Sequence, residues 1–184
     1  MTGMLSRGIR PGGMNAMEIK LTIGGVGREE ILARLQQQGI QLNDYARQWL
    51  GHPGFHLLDQ PQTVTLRILE LGALGCAGGA TLPQIFRLAA RNGLSPCAPE
   101  TALFLRLALD AQPQSTNSVL SGTHRSPQGA IVVASERLSG DEAFPAGLYL
   151  RHVDGVLWLR GYVCGDDYLW QPQDIFAFAV CEKE

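Results

Sequence analysis

Three side chains of the sequence could take part in nucleophilic or acid–base chemistry. Cys97 lies between two prolines near the expected start of a helix, where a thiol pKa is lowered and the reactive thiolate is favoured. His152 and Asp166 are candidates for proton transfer. No GxSxG nucleophile elbow accompanies them. We therefore predict no catalytic residue, and a small-molecule enzyme using Cys97, His152 or Asp166 is the alternative to a binding protein.

Metal-ligand patterns in the sequence are weak. His52 and His56 have the spacing of two ligands on one helical face, but Pro53 and Gly54 between them interrupt a helix. There is no HExxH motif, and the four cysteines form no CxxC pair, so neither a zinc ribbon nor a redox motif is indicated. Each cysteine is expected to be a small buried apolar side chain. The sequence predicts no metal and no cofactor.

Composition limits the classes of partner. The chain of 184 residues is 45% hydrophobic and 17% charged, with a formal net charge of -2. This length suits one domain. The net charge gives no electrostatic case for gripping the phosphates of a nucleic acid. No stretch reaches the roughly 18 apolar residues of a membrane helix, and no signal peptide is evident. We expect a cytoplasmic protein without a membrane partner.

The candidate binding residues come from one predicted hairpin, which contains the stretch HVDGVLWLRG, residues 152–161. Asp154-Gly155 favours a two-residue turn, because both central positions can take positive φ. That turn pairs Val153 with Val156 and fixes the remaining register. One face is then aliphatic and suits a core: Leu148, Leu150, Leu157 and Leu159. The other face interleaves aromatic rings with guanidiniums: Tyr149, Arg151, Trp158, Arg160 and Tyr162.

Two interpretations of this second face are open. Arginine over an aromatic ring contributes about 0.5–1 kcal/mol when exposed, so such cross-strand pairs would simply stabilise the hairpin. Tyr, Trp and Arg are also the residue types enriched in binding hot spots. On that basis we predict a non-catalytic binding or regulatory module. Its partner would be a protein, a peptide or a small anionic ligand.

The elements expected to position this face form an α+β fold. Residues 1–16 are predicted to be a disordered tail, and residues 17–184 a single domain. Residues 17–96 are expected to be mainly helical and residues 97–184 mainly antiparallel sheet. Four or five C-terminal strands are expected to form a meander covered by N-terminal helices at 28–37 and 82–92. The predicted strands have the sequences AIVVASERL, GLYLRHV, VLWLRGYV and DIFAFAV, and MEIKLTI and QTVTLRILE also alternate.

Capping residues predict where the helices begin. Asn43 is expected to cap the short helix DYARQWL, and Thr81 to cap LPQIFRLAARNG, in which proline is tolerated in the first turn. The segment ETALFLRLALDAQ alternates but is rich in leucine and alanine. We expect it to be a short helical turn leading into a strand. Residues 113–129 are polar and lack periodicity, as in a mobile loop or hairpin tip.

The first two predicted helices, joined by a tight glycine turn, raise the possibility of a helix-turn-helix. Tyr45, Trp49 and Leu50 of the second helix are expected to pack internally, which leaves Arg47 and Gln48 to contact bases. A DNA reader usually carries more Arg, Lys, Asn and Ser on this helix. Weak nucleic-acid binding is therefore an alternative that the sequence does not favour.

Four segments resemble a family of small uncharacterised bacterial proteins with TLPxIF and DGxLWL motifs. They are GVGREEILARLQQQGIQLNDYA, TLPQIFRLAARNGLSPCAPE, SERLSGDEAFPAGLYLRHVDGVLWLRGY and WQPQDIFAF, within residues 20–180. Some members of that family carry the label helicase, which this chain does not support because it lacks a Walker motif. The chain departs from the family at Ala98, where the pattern has proline, and at the insertion 113–128. The resemblance implies no catalytic residue.

Overall fold

The computed structural model describes residues 16–115 and 126–181. Its strands are β1 (Met17–Ile23), β2 (Gln41–Leu42), β3 (Gln62–Glu70), β4 (Leu94–Ser95), β5 (Ile131–Val133), β6 (Gly147–Val153), β7 (Val156–Tyr162) and β8 (Ile175–Val180). The helices are α1 (Arg28–Gln37), α2 (Asp44–Gly51), α3 (Leu82–Arg91) and α4 (Thr101–Ala108), with a 3-10 turn at Leu71–Leu74. The predicted tail lies outside the described residues except for its last residue, and so does most of the predicted loop at 113–129.

All eight strands belong to one sheet, in the order β1-β3-β8-β5-β6-β7-β2, with β4 paired to β8 beside this path. The pairing is mostly antiparallel, but β5 is parallel to β8 and β2 is parallel to β7. The α+β class is confirmed, whereas the C-terminal meander is not. Only the run β5-β6-β7 follows chain order, and β1 and β3 from the N-terminal half complete the same sheet.

Burial explains why β8 leaves the predicted meander. Phe176 and Phe178 on one of its faces and Ala177 on the other are all buried. A strand that is apolar on both faces is most stable in the centre of a covered sheet. Accordingly β8 pairs with β3 through residues such as Ala177, opposite Ile68, and it pairs with β5 on its other side.

Helices cover both faces of the sheet. Ile31 and Leu35 of α1 join one core cluster, to which α2 and α4 also contribute. Ile85 and Ala89 of α3 join a second cluster, which contains Phe176 from the opposite face of the sheet. The expectation that the helices at 28–37 and 82–92 share one covered face is thus wrong. Strand β8 is apolar on both of its faces, so helices have to pack on each face of the sheet.

Both predicted caps are present. The Asn43 side chain accepts a hydrogen bond from the Ala46 N–H at 2.9 Å and starts α2. Thr81 is the N-cap of α3, and its N–H donates to the Gln84 side chain at 2.9 Å in a capping box, with proline in the first turn. Each cap supplies partners for backbone groups that the first helical turn leaves unpaired.

The segment after α4 is held by side chains and forms no strand. Arg106 is fully buried and donates to the Gln112 side chain at 2.6 Å and to the Leu109 carbonyl. Gln112 in turn donates to the Leu150 carbonyl at 3.1 Å and to the Gly129 carbonyl at 2.8 Å. The predicted helix is confirmed, and the strand predicted to follow it is wrong, because these bonds replace a strand ladder.

Strand β2 lies between α1 and α2, so the two helices do not form a helix-turn-helix. Gln41 of β2 pairs with Trp158 of β7. Trp49 and Leu50 are buried as expected, but Tyr45 is 43% exposed, so its expected packing is wrong. Helix α2 lies on β7, and its buried side chains belong to the core on that face. Within residues 16–115 and 126–181, no helix has the length and apolar character to cross a membrane.

Candidate functional site

The hairpin of β6 and β7 has the predicted register. Val153 pairs with Val156, and the pairing continues to Gly147 opposite Tyr162. Asp154 and Gly155 have φ values of 51° and 72°, as the two-residue turn requires. The aliphatic face is in the main core: Leu148, Leu150 and Leu159 are buried there, and Leu157 packs against it partly buried.

On the opposite face, the Arg160 guanidinium lies 5.0 Å from the centroid of the Trp158 ring. Both residues are half-buried, and neither belongs to a core cluster. The Arg160 charge also reaches Tyr149. Burial raises the pKa of the Tyr149 hydroxyl, and the charges of Arg160 and Arg151 lower it in part. Strand β7 thus holds a guanidinium against an indole within the strand, and both groups have access to solvent.

The inner part of this face is covered. Tyr149 and Tyr162 pack against the second core cluster, and the Tyr162 ring meets the Trp170 ring edge-on at 5.4 Å. Burial raises the pKa of the Tyr162 hydroxyl. Arg151 is only 3% exposed. Of the five predicted binding residues, Trp158 and Arg160 therefore form the outer part, at the β7 side of the hairpin.

The outer part lies close to an edge of the sheet. In the part of the sheet that the structure describes, β2 alone lies beyond β7, and its Gln41 is exposed and shares the face of Trp158. Chemically, the pair offers a flat apolar ring beside a planar cation. Guanidinium groups form bidentate bonds with carboxylates, and indole rings supply large apolar contact areas.

Cys97 lacks the properties of a nucleophile. Its side chain is buried, and its thiol donates to the Ala177 carbonyl at 3.6 Å. Burial raises the pKa of the Cys97 thiol to about 12. The expected activation near the start of α4 is therefore outweighed by desolvation, which disfavours the thiolate.

The two other catalytic candidates each have a structural partner. The Nδ1 atom of His152 lies 2.7 Å from the Gln112 carbonyl oxygen. Asp166 is exposed and forms an ion pair with Arg137 at 3.0 Å. Among the hydrogen bonds of the described residues, none joins Cys97, His152 and Asp166 to one another. The structure does not bring the three together as a catalytic set.

The histidines and cysteines considered in the sequence can be compared with their surroundings in the structure. His52 Nδ1 accepts a hydrogen bond from the Gly54 N–H at 3.0 Å, a local turn contact. In the described part of the chain, no group of three or more His, Cys, Asp or Glu side chains could hold a metal ion. All four cysteines are free thiols. Three are buried as expected, but Cys181 is exposed, which corrects that prediction.

The structure contains two pockets that were not predicted from the sequence. One, of about 410 Å³, lies beside the start of α1 and is lined by Gly25, Val26, Gly27, Arg28, Phe55, His56, Leu57, Leu58 and Asp59. The other, of about 330 Å³, lies between the glycine-rich loop at 75–80 and α3. The signal for the second was available: a glycine run followed by a helix with Arg87 and Arg91 one turn apart.

Comparison of the chain with protein-family models, with curated proteins and with solved structures found no match.

Proposed function

We propose that this protein is a non-catalytic binding or regulatory module whose contact surface is centred on Trp158 and Arg160. The observation that carries the proposal is the 5.0 Å contact between the Arg160 guanidinium and the Trp158 ring on a half-exposed sheet face. Tryptophan and arginine are the residue types most enriched among interface hot spots. Their position near the sheet edge gives a partner room to approach.

The contact favours binding because its geometry is set before a partner arrives. Both side chains project from the same strand, β7, which is paired with β6 along its whole length. A side chain that is already ordered loses less entropy on association, so more of the contact energy is available for affinity. We propose a peptide or protein segment as the partner, with a carboxylate for Arg160 and an apolar side chain for Trp158.

The alternatives have less support. An enzyme using Cys97 would need a thiolate, and burial raises the pKa of that thiol to about 12. A nucleic-acid reader of the helix-turn-helix type would need α1 and α2 joined by a tight turn, and β2 lies between them. A small anionic ligand would use the guanidinium of Arg160 but leave much of the Trp158 ring without a contact.

A phage-displayed library of random peptides tests the proposal. We expect the wild-type protein to enrich peptides that contain an acidic residue next to an aromatic or aliphatic one. The double variant Trp158→Ala/Arg160→Ala should lose these peptides while keeping the circular dichroism spectrum of the wild type. The matched control Tyr45→Ala/Arg47→Ala removes the same kinds of side chain from α2, where Tyr45 is exposed, and should bind normally. Equal binding by the Trp158→Ala/Arg160→Ala variant, or no enrichment by the wild type, would contradict the proposal.

A further inference from the structure

The pocket between the glycine-rich loop at 75–80 and α3 has the character of an anion site. Its volume is about 330 Å³, within the range of small-molecule pockets. The α3 side chains that line it are Gln84, Arg87, Leu88 and Arg91. Two of the ten lining residues are cationic and none is acidic, although the whole chain has a net charge of -2. The positive charge is therefore a local property of this pocket.

The two arginines of the pocket are not used by the fold. Arg87 and Arg91 are four residues apart on the exposed side of α3, so their side chains are neighbours on the helix surface. Neither guanidinium forms a hydrogen bond or ion pair with any residue in 16–115 or 126–181. Other arginines, such as Arg67 and Arg137, have carboxylate partners. Both guanidiniums are thus available to a ligand.

The loop supplies a second set of donors. The Gly79 N–H donates to the Cys76 carbonyl at 3.1 Å, which closes a turn over Ala77 and Gly78. Within the described residues, the N–H groups of Cys76, Ala77 and Gly78 donate no hydrogen bond. Gly78 has no atom of another residue within 4 Å of the position a Cβ would occupy, so the turn faces open space. Successive unpaired amides of this kind suit an oxyanion.

The same loop is held in place by contacts with the segment around Trp170. Ala80 exchanges two backbone hydrogen bonds with Trp170, at 2.9 and 3.0 Å, and Trp170 is buried in the second core. Gly79 has φ of 85°, and a Cβ there would lie 2.7 Å from the Trp170 carbonyl oxygen, so only glycine fits. The capping box at Thr81 then joins the loop to α3. The backbone of the loop is therefore held beside α3 without a ligand, and the exposed side chains of Arg87 and Arg91 extend from that helix.

We propose that this pocket binds the phosphoryl group of a phosphorylated small molecule. Arg87, Arg91 and the amides of residues 76–78 provide more donors than the two oxygens of a carboxylate can use, and two cations match a phosphate dianion. Leu88 and Cys76 line the same pocket and offer an apolar wall for the body of the ligand. The lining of this pocket includes neither Trp158 nor Arg160.

Phenyl phosphate titrated into the full chain, followed by ¹⁵N NMR, tests the assignment. We expect saturable shifts of the Ala77 and Gly78 amides, and weaker binding of benzoate. Arg87→Ala/Arg91→Ala should weaken phenyl phosphate binding by about tenfold or more, because removing each guanidinium deprives the phosphoryl group of a charge-assisted hydrogen bond. Arg34→Ala/Arg47→Ala, which removes two exposed helix arginines elsewhere, should bind like the wild type.

Three results of these titrations would bear on the proposal. Unchanged affinity in Arg87→Ala/Arg91→Ala, or shifts spread over the surface instead of the loop, would overturn the site. Benzoate binding as tightly as phenyl phosphate would overturn the choice of a phosphoryl group. Because Trp158→Ala/Arg160→Ala leaves this pocket intact, its phenyl phosphate affinity should equal that of the wild type. A failure of the peptide-binding proposal would therefore be distinguishable from a failure of this one.

Discussion

The Asn43 side chain forms hydrogen bonds with both backbone groups of Gly161. Its Nδ2 donates to the Gly161 carbonyl at 3.0 Å, and its Oδ1 accepts from the Gly161 N–H at 2.8 Å. The same Oδ1 accepts from the Ala46 N–H at 2.9 Å as the cap of α2. One amide therefore continues the pairing of β7 where β2 ends, and it starts the helix that covers this strand.

Replacing Asn43 should destabilise the fold. Asn43→Ala removes the cap and leaves two backbone groups of Gly161 without their partner, at a cost of about 1–3 kcal/mol. Asn43→Asp keeps the acceptor and loses only the donor to the Gly161 carbonyl, so its loss should be smaller. Urea unfolding of the three proteins measures this order. Equal stability of Asn43→Ala and wild type would show that the bridge contributes nothing.

Gly161→Ala should also be destabilising, for a steric reason. A Cβ at Gly161 would lie 2.6 Å from the Tyr45 carbonyl carbon and 2.7 Å from the Ala46 nitrogen, both of them backbone atoms. Helix α2 would have to move away from β7, and such overpacking costs about 1–3 kcal/mol. Gly140→Ala is the matched control, because no atom of another residue lies within 4 Å of its added Cβ. Thermal unfolding compares the two. If they unfold together, the close approach of α2 is not required.

Thiol modification should separate two cysteines in the folded protein. Cys181 is exposed and is expected to react rapidly with iodoacetamide at neutral pH. Cys97 is buried, and burial raises its pKa to about 12, so the thiolate is absent at neutral pH and the reagent has no access. Peptide mass spectrometry after timed alkylation measures both rates. Comparable labelling of the two residues in the native state would contradict this expectation and would support Cys97 as a nucleophile.

Glu100 should make stability depend on pH. It is 1% exposed, its Oε2 accepts from the Leu58 N–H at 2.9 Å, and its Oε1 has no partner among the described residues. Burial raises the pKa of this carboxyl, and the bond from Leu58 lowers it in part. The folded state thus keeps its proton to higher pH than the unfolded chain. The resulting stabilisation is complete below the ordinary pKa of 4.5 and is lost as the pH rises through the raised value.

The variant Glu100→Gln lacks this titration. As the pH is raised from acidic to neutral, the free energy of unfolding of Glu100→Gln should therefore increase relative to that of the wild type. Denaturant unfolding across that range measures the difference, and Glu142→Gln, at an exposed carboxylate, should show no such trend. A gap between Glu100→Gln and wild type that is independent of pH would contradict the assignment.

Local signals in the sequence were sufficient for the hairpin and the helix starts. The Asp154-Gly155 turn fixes a register, and alternation then assigns each side chain to a face. Asn43 and Thr81 mark helix starts because a side-chain cap acts within the first turn of its own helix. Each of these features depends on residues that are close in the chain.

The order of the strands was not available from the same signals. The pairing of β3 with β8 joins Leu66 to Ala179, and alternation in either strand says nothing about which partner it takes. For the same reason, the pattern gave Arg151 and Tyr149 a common face but not the elements that cover it. The two-residue strands β2 and β4 are too short to show a period.

The central place of β8 has a consequence for biosynthesis. In the described sheet, the pair β1-β3 meets the run β5-β6-β7-β2 only through β8. A nascent chain can form each half early, but both halves keep an unpaired inner edge while β8 is still inside the ribosome. Exposed strand edges invite pairing with other chains. The two halves of this sheet can therefore be joined only after residue 180 has emerged from the ribosome.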